Sequence, residues 1–203
     1  MQKNRVKGIG AVSIPSFAFI GPMASGKNTY SDALRSSMER EFGVKVSRLS
    51  FSAKISDIAR ELFDMSGRDR RLLQQIGQKM KEIDPAVWAK YLIKKVKEEG
   101  SQPFIVDGIR SKEELNAFMS ALPNFVPIRL ECDEKARLEA YRKLYGKRPT
   151  YKEINDPTEI SIKSIETAIS LKNDYTYRTL RRHIDWIIKG IKDGSLLKKA
   201  RPK

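Results

Sequence analysis

The run Gly21-Pro22-Met23-Ala24-Ser25-Gly26-Lys27-Asn28-Thr29 sets two glycines five positions apart and a lysine directly after the second. That spacing suits anion capture. Glycines let the backbone close around a phosphate, a helix start supplies free N–H groups and the positive end of its dipole, and a lysine ammonium can bridge two phosphates. Gly21, Ala24, Ser25, Gly26, Lys27, Asn28 and Thr29 are therefore the candidate phosphate ligands, with Lys27 across the β- and γ-phosphates of ATP and catalytic in a transfer. A second candidate is Asp107, the carboxylate that ends the apolar run Phe104-Ile105-Val106. It can hold metal-bound water or orient an acceptor group; the plainer reading is a cap on the turn before Gly108. Arg110 follows three residues on, facing the same edge.

The elements that would position these residues are legible from periodicity. Ser16–Ile20 is a short apolar run ended by Gly21, as a buried central strand requires, and from Thr29 the residues Tyr30, Ala33, Leu34 and Met38 recur at helical spacing until Gly43. Further strands are expected over 44–51, 103–107, 125–132 and 168–171. Helices are expected from Ile55 to Phe63, Arg68 to Met80, Pro85 to about Glu99, and about Tyr175 to Lys192. Ser111 and Glu114 have capping-box spacing at the start of another. Residues 1–12 read as a loose leader. Residues 134–163, charged and broken by Gly146, Pro149 and Pro157, read as a mobile helical lid outside the core. Alternating strands and helices imply parallel pairing through right-handed crossovers, with ligands at the carboxyl ends of the strands. The fold class expected is a three-layer αβα P-loop fold with a central parallel five-stranded sheet and a helical lid, over a single domain spanning 1–203.

The hydroxyl stands at Thr29, after Asn28, rather than directly after Lys27. This GK-x-T arrangement resembles adenylate kinases and their relatives, which hold magnesium largely through water, and it favours small-molecule kinases over GTPases or motor ATPases. The order of later blocks extends the resemblance: Phe51-Ser52-Ala53-Lys54, Ile58 to Phe63, Arg71 to Gly77, Asp84 to Trp88, Asp107-Gly108-Ile109-Arg110 and Asp156-Pro157-Thr158-Glu159. Together they resemble the deoxynucleoside monophosphate kinases of the bacteriophage type, over about Phe17 to Ile188. The resemblance implies ATP and Mg2+ as cofactors and a small-molecule nucleotide acceptor, with an acceptor-binding region at about 51–97 and a lid at about 134–163. Phe51, Lys54, Arg71, Gln74, Gln75, Trp88 and Arg110 would contact the acceptor, with arginine forks on its phosphate. Trp88 would stack on a base, or else belong to the core. Arg137 and Arg142 would close over the transferring phosphoryl group as catalytic cations, with Arg148 behind them. Asp107 would meet the metal through water. The sequence departs from the family at Asp156, where histidine is common, and at Asn173-Asp174-Tyr175, which lacks a customary glycine.

A dephospho-coenzyme A kinase, or another small-molecule kinase with Asp107 as base, is the rival on the same scaffold. Composition adds a third reading. Lysine and arginine number 40 against 25 acidic residues, a formal charge of +15 that attracts polyanions. A nucleic-acid-stimulated ATPase or polynucleotide kinase would use that charge, although solvated helix faces and the tail Lys198, Lys199, Arg201, Lys203 account for much of it. The stretch from Ile9 to Ile20 is interrupted by Ser13, Pro15 and Ser16 and is too short to cross a bilayer. With no signal-peptide pattern, the expectations are a cytoplasmic protein, monomer or homodimer, and no membrane partner. Cys132 reads as a half-buried structural thiol and His183 as a structural histidine.

Overall fold

The computed structural model describes residues 13–100 and 102–201; the expected leader and Lys203 lie outside the described residues. Along the chain the elements are β1 (Ser16–Ile20), α1 (Lys27–Phe42), β2 (Ser47–Ser50), α2 (Phe51–Phe63), α3 (Arg70–Ile83), α4 (Val87–Glu99), β3 (Phe104–Asp107), α5 (Lys112–Ala121), β4 (Phe125–Cys132), α6 (Glu134–Tyr145), α7 (Tyr151–Ile154), α8 (Pro157–Lys163), β5 (Ser170–Asn173), α9 (Tyr177–Lys192) and α10 (Ser195–Ala200).

The strands pair in the order β2-β3-β1-β4-β5, every pair parallel. Side-chain alternation divides the interior into two layers. Phe17 and Phe19 of β1 join one core cluster, while Ala18 and Ile20 join the other. In β4, Val126, Ile128 and Leu130 join the first cluster and Phe125 the second. Burial on both faces is why these strands read as continuous apolar runs. The first layer is covered by Tyr30, Leu34 and Met38 of α1 and by Ile184, Ile187, Ile188 and Ile191 of α9. The second is covered from α2, α4 and α5, through Ala59, Leu92, Ile93, Leu115 and Phe118. Each large apolar side chain so buried contributes about 1.5–3 kcal/mol. The α/β fold with its five-stranded parallel sheet is the one expected.

Several boundaries differ, for local reasons. β2 is shorter than expected: it starts at Ser47, and it ends at Ser50 because that residue also caps α2, its Oγ accepting Ser52 N–H at 3.3 Å. β5 begins two residues later than expected, at Ser170. α9 begins after Tyr175 because Thr176 is its cap, the Oγ1 accepting Thr179 N–H at 3.2 Å. The capping box at Ser111 and Glu114 forms as its spacing predicts. Helix α10 was not expected: the basic tail disguises Leu196 and Ala200, which complete the first core layer. Residues 134–163 fold into α6, α7 and α8, but not wholly outside the core, since Ile162 of α8 is a buried member of the second layer. No helix among the described residues is long and apolar enough to cross a membrane.

Candidate active site

The loop between β1 and α1 lies at the carboxyl end of the central strand. Glycine is required at its start: a Cβ on Gly21 would stand 2.8 Å from Leu130 O and 2.7 Å from Ser25 Oγ. Gly26 adopts φ 94, a left-handed conformation, and a Cβ there would stand 2.5 Å from Asn173 Nδ2. Within the loop Ser25 N–H donates to Pro22 O at 3.2 Å, and Tyr30 N–H donates to Gly26 O at 3.0 Å to start the helix. Lys27 extends back over this ring, its Nζ donating to Gly21 O and Pro22 O, each at 2.7 Å. Burial pulls its ammonium down from 10.5 to about 8, and the charge of Arg110 adds to the effect. Asn28 and Thr29 stand exposed in the first turn of α1.

Asp107 ends β3 opposite Ser50 in the register, one strand from the loop. Its Oδ1 accepts the Ser31 hydroxyl at 3.2 Å. Its Oδ2 accepts both Nε, at 3.1 Å, and Nη2 of Arg48, while Arg48 Nη1 donates to Asp32 at 2.7 Å. Asp107 therefore does more than cap a turn, because a forked arginine fixes its orientation.

Arg110 lies beside the loop through Glu159, a buried carboxylate of α8. Arg110 Nη1 donates to Glu159 Oε1 at 2.8 Å, and Met23 N–H of the loop donates to Glu159 Oε2 at 2.8 Å. The backbone of Arg110 is fixed separately, its N–H donating to Glu114 at 2.7 Å. Glu114 is fully buried and paired with Lys81 at 2.6 Å.

The segment between β5 and α9 supports the loop from the other side. Asn173 Nδ2 donates to Ser25 O at 3.0 Å and Tyr175 Oη donates to Ala24 O at 2.9 Å. Tyr175 sits at φ 63, where a non-glycine residue costs about 1–2 kcal/mol. Neighbouring bonds offset this: Tyr175 N–H donates to Asn173 Oδ1, and Asp174 accepts from Thr176 N–H, both at 2.9 Å.

The remaining expected residues divide. Phe51 is buried, stacked at 6.4 Å on Phe118 and packed under Gly108, so it shapes the wall beside Asp107. Lys54 Nζ lies 5.9 Å from the Tyr91 ring. Arg71, Gln74 and Gln75 are exposed along α3. Trp88 takes the core alternative. It is 3% exposed and donates its indole N–H to Gly77 O at 3.1 Å, which leaves no free face for a base. Arg137 and Arg142 are not brought together either: Arg137 is buried on α6, whereas Arg142 points to solvent and pairs with Glu139 at 3.4 Å. Arg148 is exposed. Cys132 is half-buried at the end of β4, and His183 Nδ1 shares a 2.8 Å hydrogen bond with the Tyr30 hydroxyl.

Sequence reasoning passed over Arg48, Glu159, Asn173 and Tyr175 as site residues, although the last three lie in blocks already noted. The pointer available was the block Asn173-Asp174-Tyr175, noted in the sequence for its missing glycine and given no role.

Solved structures of similar fold include two that are named as kinases. A gluconokinase from Sinorhizobium meliloti 1021 superposes with a TM-score of 0.55 at 12% identity, covering 89% of this chain and 97% of its own. The chain shares the α/β fold of that structure. A sugar kinase from Janibacter sp. HTCC2649 gives 0.56 at 14% identity, covering 87% of this chain and 95% of that one. No protein-family model and no curated protein sequence matches the chain.

Proposed function

We propose that this P-loop protein is an ATP-dependent phosphotransferase that moves the γ-phosphoryl group onto a (deoxy)nucleoside monophosphate. The observation that carries the reading is Lys27, whose largely buried ammonium is held over the loop by two backbone carbonyls and flanked by a second cation, Arg110. A desolvated lysine beside another positive charge gains most from a polyanion. The similarity to a gluconokinase and a sugar kinase supports a small-molecule kinase in general.

In this reading the loop from Gly21 to Thr29 binds the ATP phosphates, and an acceptor phosphate meets Arg71 and Arg110. An acceptor oxygen bonds to the γ-phosphorus as the bond to the β–γ bridging oxygen breaks, with ADP leaving. An ionised acceptor phosphate has no proton to remove, so the chain supplies alignment, charge neutralisation by Lys27 and Arg137, and exclusion of water by the 134–163 helices. Magnesium fits the oxygen donors present. Asp107 Oδ1, which accepts the Ser31 hydroxyl, keeps a second lone pair for metal-bound water. The ion would lessen the negative charge on the phosphates.

The way Asp107 is held supports this choice of acceptor class. A hydroxyl acceptor, as in a sugar kinase or a dephospho-coenzyme A kinase, needs a base. Oδ2 of Asp107 is already covered by the Arg48 fork, Oδ1 takes the Ser31 hydroxyl and in this reading metal-bound water, and the turn from β2 into α2, Ser50-Phe51-Ser52-Ala53-Lys54, carries no carboxylate. The exposed polar groups of α3 suit an anion better. The test is incubation with ATP, magnesium and a panel of (deoxy)nucleoside monophosphates, gluconate, dephospho-coenzyme A and single-stranded oligonucleotides, with products separated by chromatography. A diphosphate product supports the reading; transfer only to a hydroxyl compound or an oligonucleotide end overturns it.

A further inference from the structure

We infer that Asn173 and Tyr175 form a clamp that shapes the phosphate loop for a triphosphate, acting as positioning residues from the far side of its backbone. The inference rests on the triphosphate-site reading of the loop and adds two residues to it.

The argument is one of peptide geometry. In a trans peptide the C=O and the following N–H point in opposite directions. Asn173 holds Ser25 O at 3.0 Å, so the N–H of Gly26, in the same peptide unit, is aimed away from the Asn173 side chain. Tyr175 holds Ala24 O at 2.9 Å, which fixes the preceding peptide unit, whose Ser25 N–H closes the turn on Pro22 O. Two successive units are thus oriented by side chains about 150 positions along the chain. The clamp is rigid in its own right: Asn173 is 5% exposed, and its Oδ1 accepts Tyr175 N–H at 2.9 Å, so one side chain locks both grips. Burial also pushes the Tyr175 phenol up, which keeps its O–H available as a donor. The absence of a Cβ on Gly26 lets Asn173 come this close.

The clamp acts on the polyphosphate and not on the nucleoside. Tyr175→Phe retains the ring and removes one hydrogen bond; Asn173→Ala removes the other. Calorimetry on the full chain with ATP, with tripolyphosphate and with adenosine separates the roles. For Tyr175→Phe, the Kd for ATP and for tripolyphosphate is expected to rise about three- to tenfold, with adenosine affinity and the thermal midpoint unchanged. Asn173→Ala is expected to shift the same two ligands. Unchanged tripolyphosphate affinity in Tyr175→Phe overturns the clamp, as does an equal loss for adenosine, which would make the phenol a nucleoside contact. Wild-type protein that binds neither ATP nor tripolyphosphate overturns the loop reading and the clamp together.

Discussion

Glu159 accepts two hydrogen bonds of 2.8 Å, one from the Arg110 guanidinium and one from the Met23 N–H. A single carboxylate on α8 thereby joins the phosphate loop to the arginine assigned to the acceptor phosphate. It also competes with any phosphate for that arginine. Glu159→Gln retains an oxygen for Met23 N–H and removes the charge facing Arg110. The acceptor KM is expected to fall severalfold, while the melting temperature drops because a largely buried charge pair is broken. Steady-state kinetics and thermal unfolding measure both, and an unaltered KM would take Arg110 out of acceptor binding.

Lys27→Ala removes the ammonium that lies over the loop. Turnover is expected to fall about 100- to 1,000-fold, as when one preorganised donor is lost from a transition state. Circular dichroism should be unchanged, because α1 begins with Gly26 as its cap and needs no lysine side chain. Near-normal turnover would overturn the role of Lys27.

The lowered Lys27 ammonium gives a pH signature. Below about 8 the lysine is charged in the free protein and in the complex, and binding takes up no proton at this site. Above about 8 the free protein holds it neutral, whereas a bound triphosphate favours the charged form, so binding takes up a proton. ATP affinity should therefore decline as pH rises through this range. Calorimetry in buffers of different ionisation enthalpy counts the proton directly, and Lys27→Met should abolish the uptake.

Gly21→Ala tests the packing beneath the loop. The added Cβ meets a backbone carbonyl, Leu130 O, at 2.8 Å, so the strand or the loop must shift. A loss of about 1–3 kcal/mol is expected in denaturant unfolding. Gly67→Ala, with open space around the new methyl, is the control and should stay within about 0.5 kcal/mol of the parent protein.

Trp88→Ala separates core from site. It should cost about 3–5 kcal/mol, since it empties a buried volume and leaves Gly77 O without its donor. Trp88→Phe should retain more of that stability. In neither variant should the acceptor KM move beyond what partial unfolding explains, and a selective KM increase in Trp88→Phe would return the indole to the acceptor site.

The parts of the site that could be read from sequence are those built by neighbours. Gly21, Gly26 and Lys27 belong to one turn, and Asp107 is announced by the apolar strand it ends. The partners of these residues could not be read this way, because chain crossovers bring them in: Arg48 lies 59 positions from Asp107, Glu159 lies 136 from Met23, and Tyr175 lies 151 from Ala24. Such distances leave no periodic trace. Trp88 stayed open between core and site for a related reason, since a tryptophan at helical spacing looks the same whether its ring faces a ligand or Gly77. Helix α10 escaped because Lys198 and Lys199 hide the apolar pair Leu196 and Ala200.

Placing β1 at the centre of the sheet separates two kinds of change. Arg48 and Phe51, which surround Asp107, come from the β2 edge, whereas Asn173 and Tyr175, which brace the loop, come from the β5 edge. The two margins meet through the strands between them and through Glu159, which ties Arg110 to Met23 of the loop. In the phosphotransferase proposed above, variation confined to the acceptor region at about 51–97 would leave the brace on the β5 edge in place.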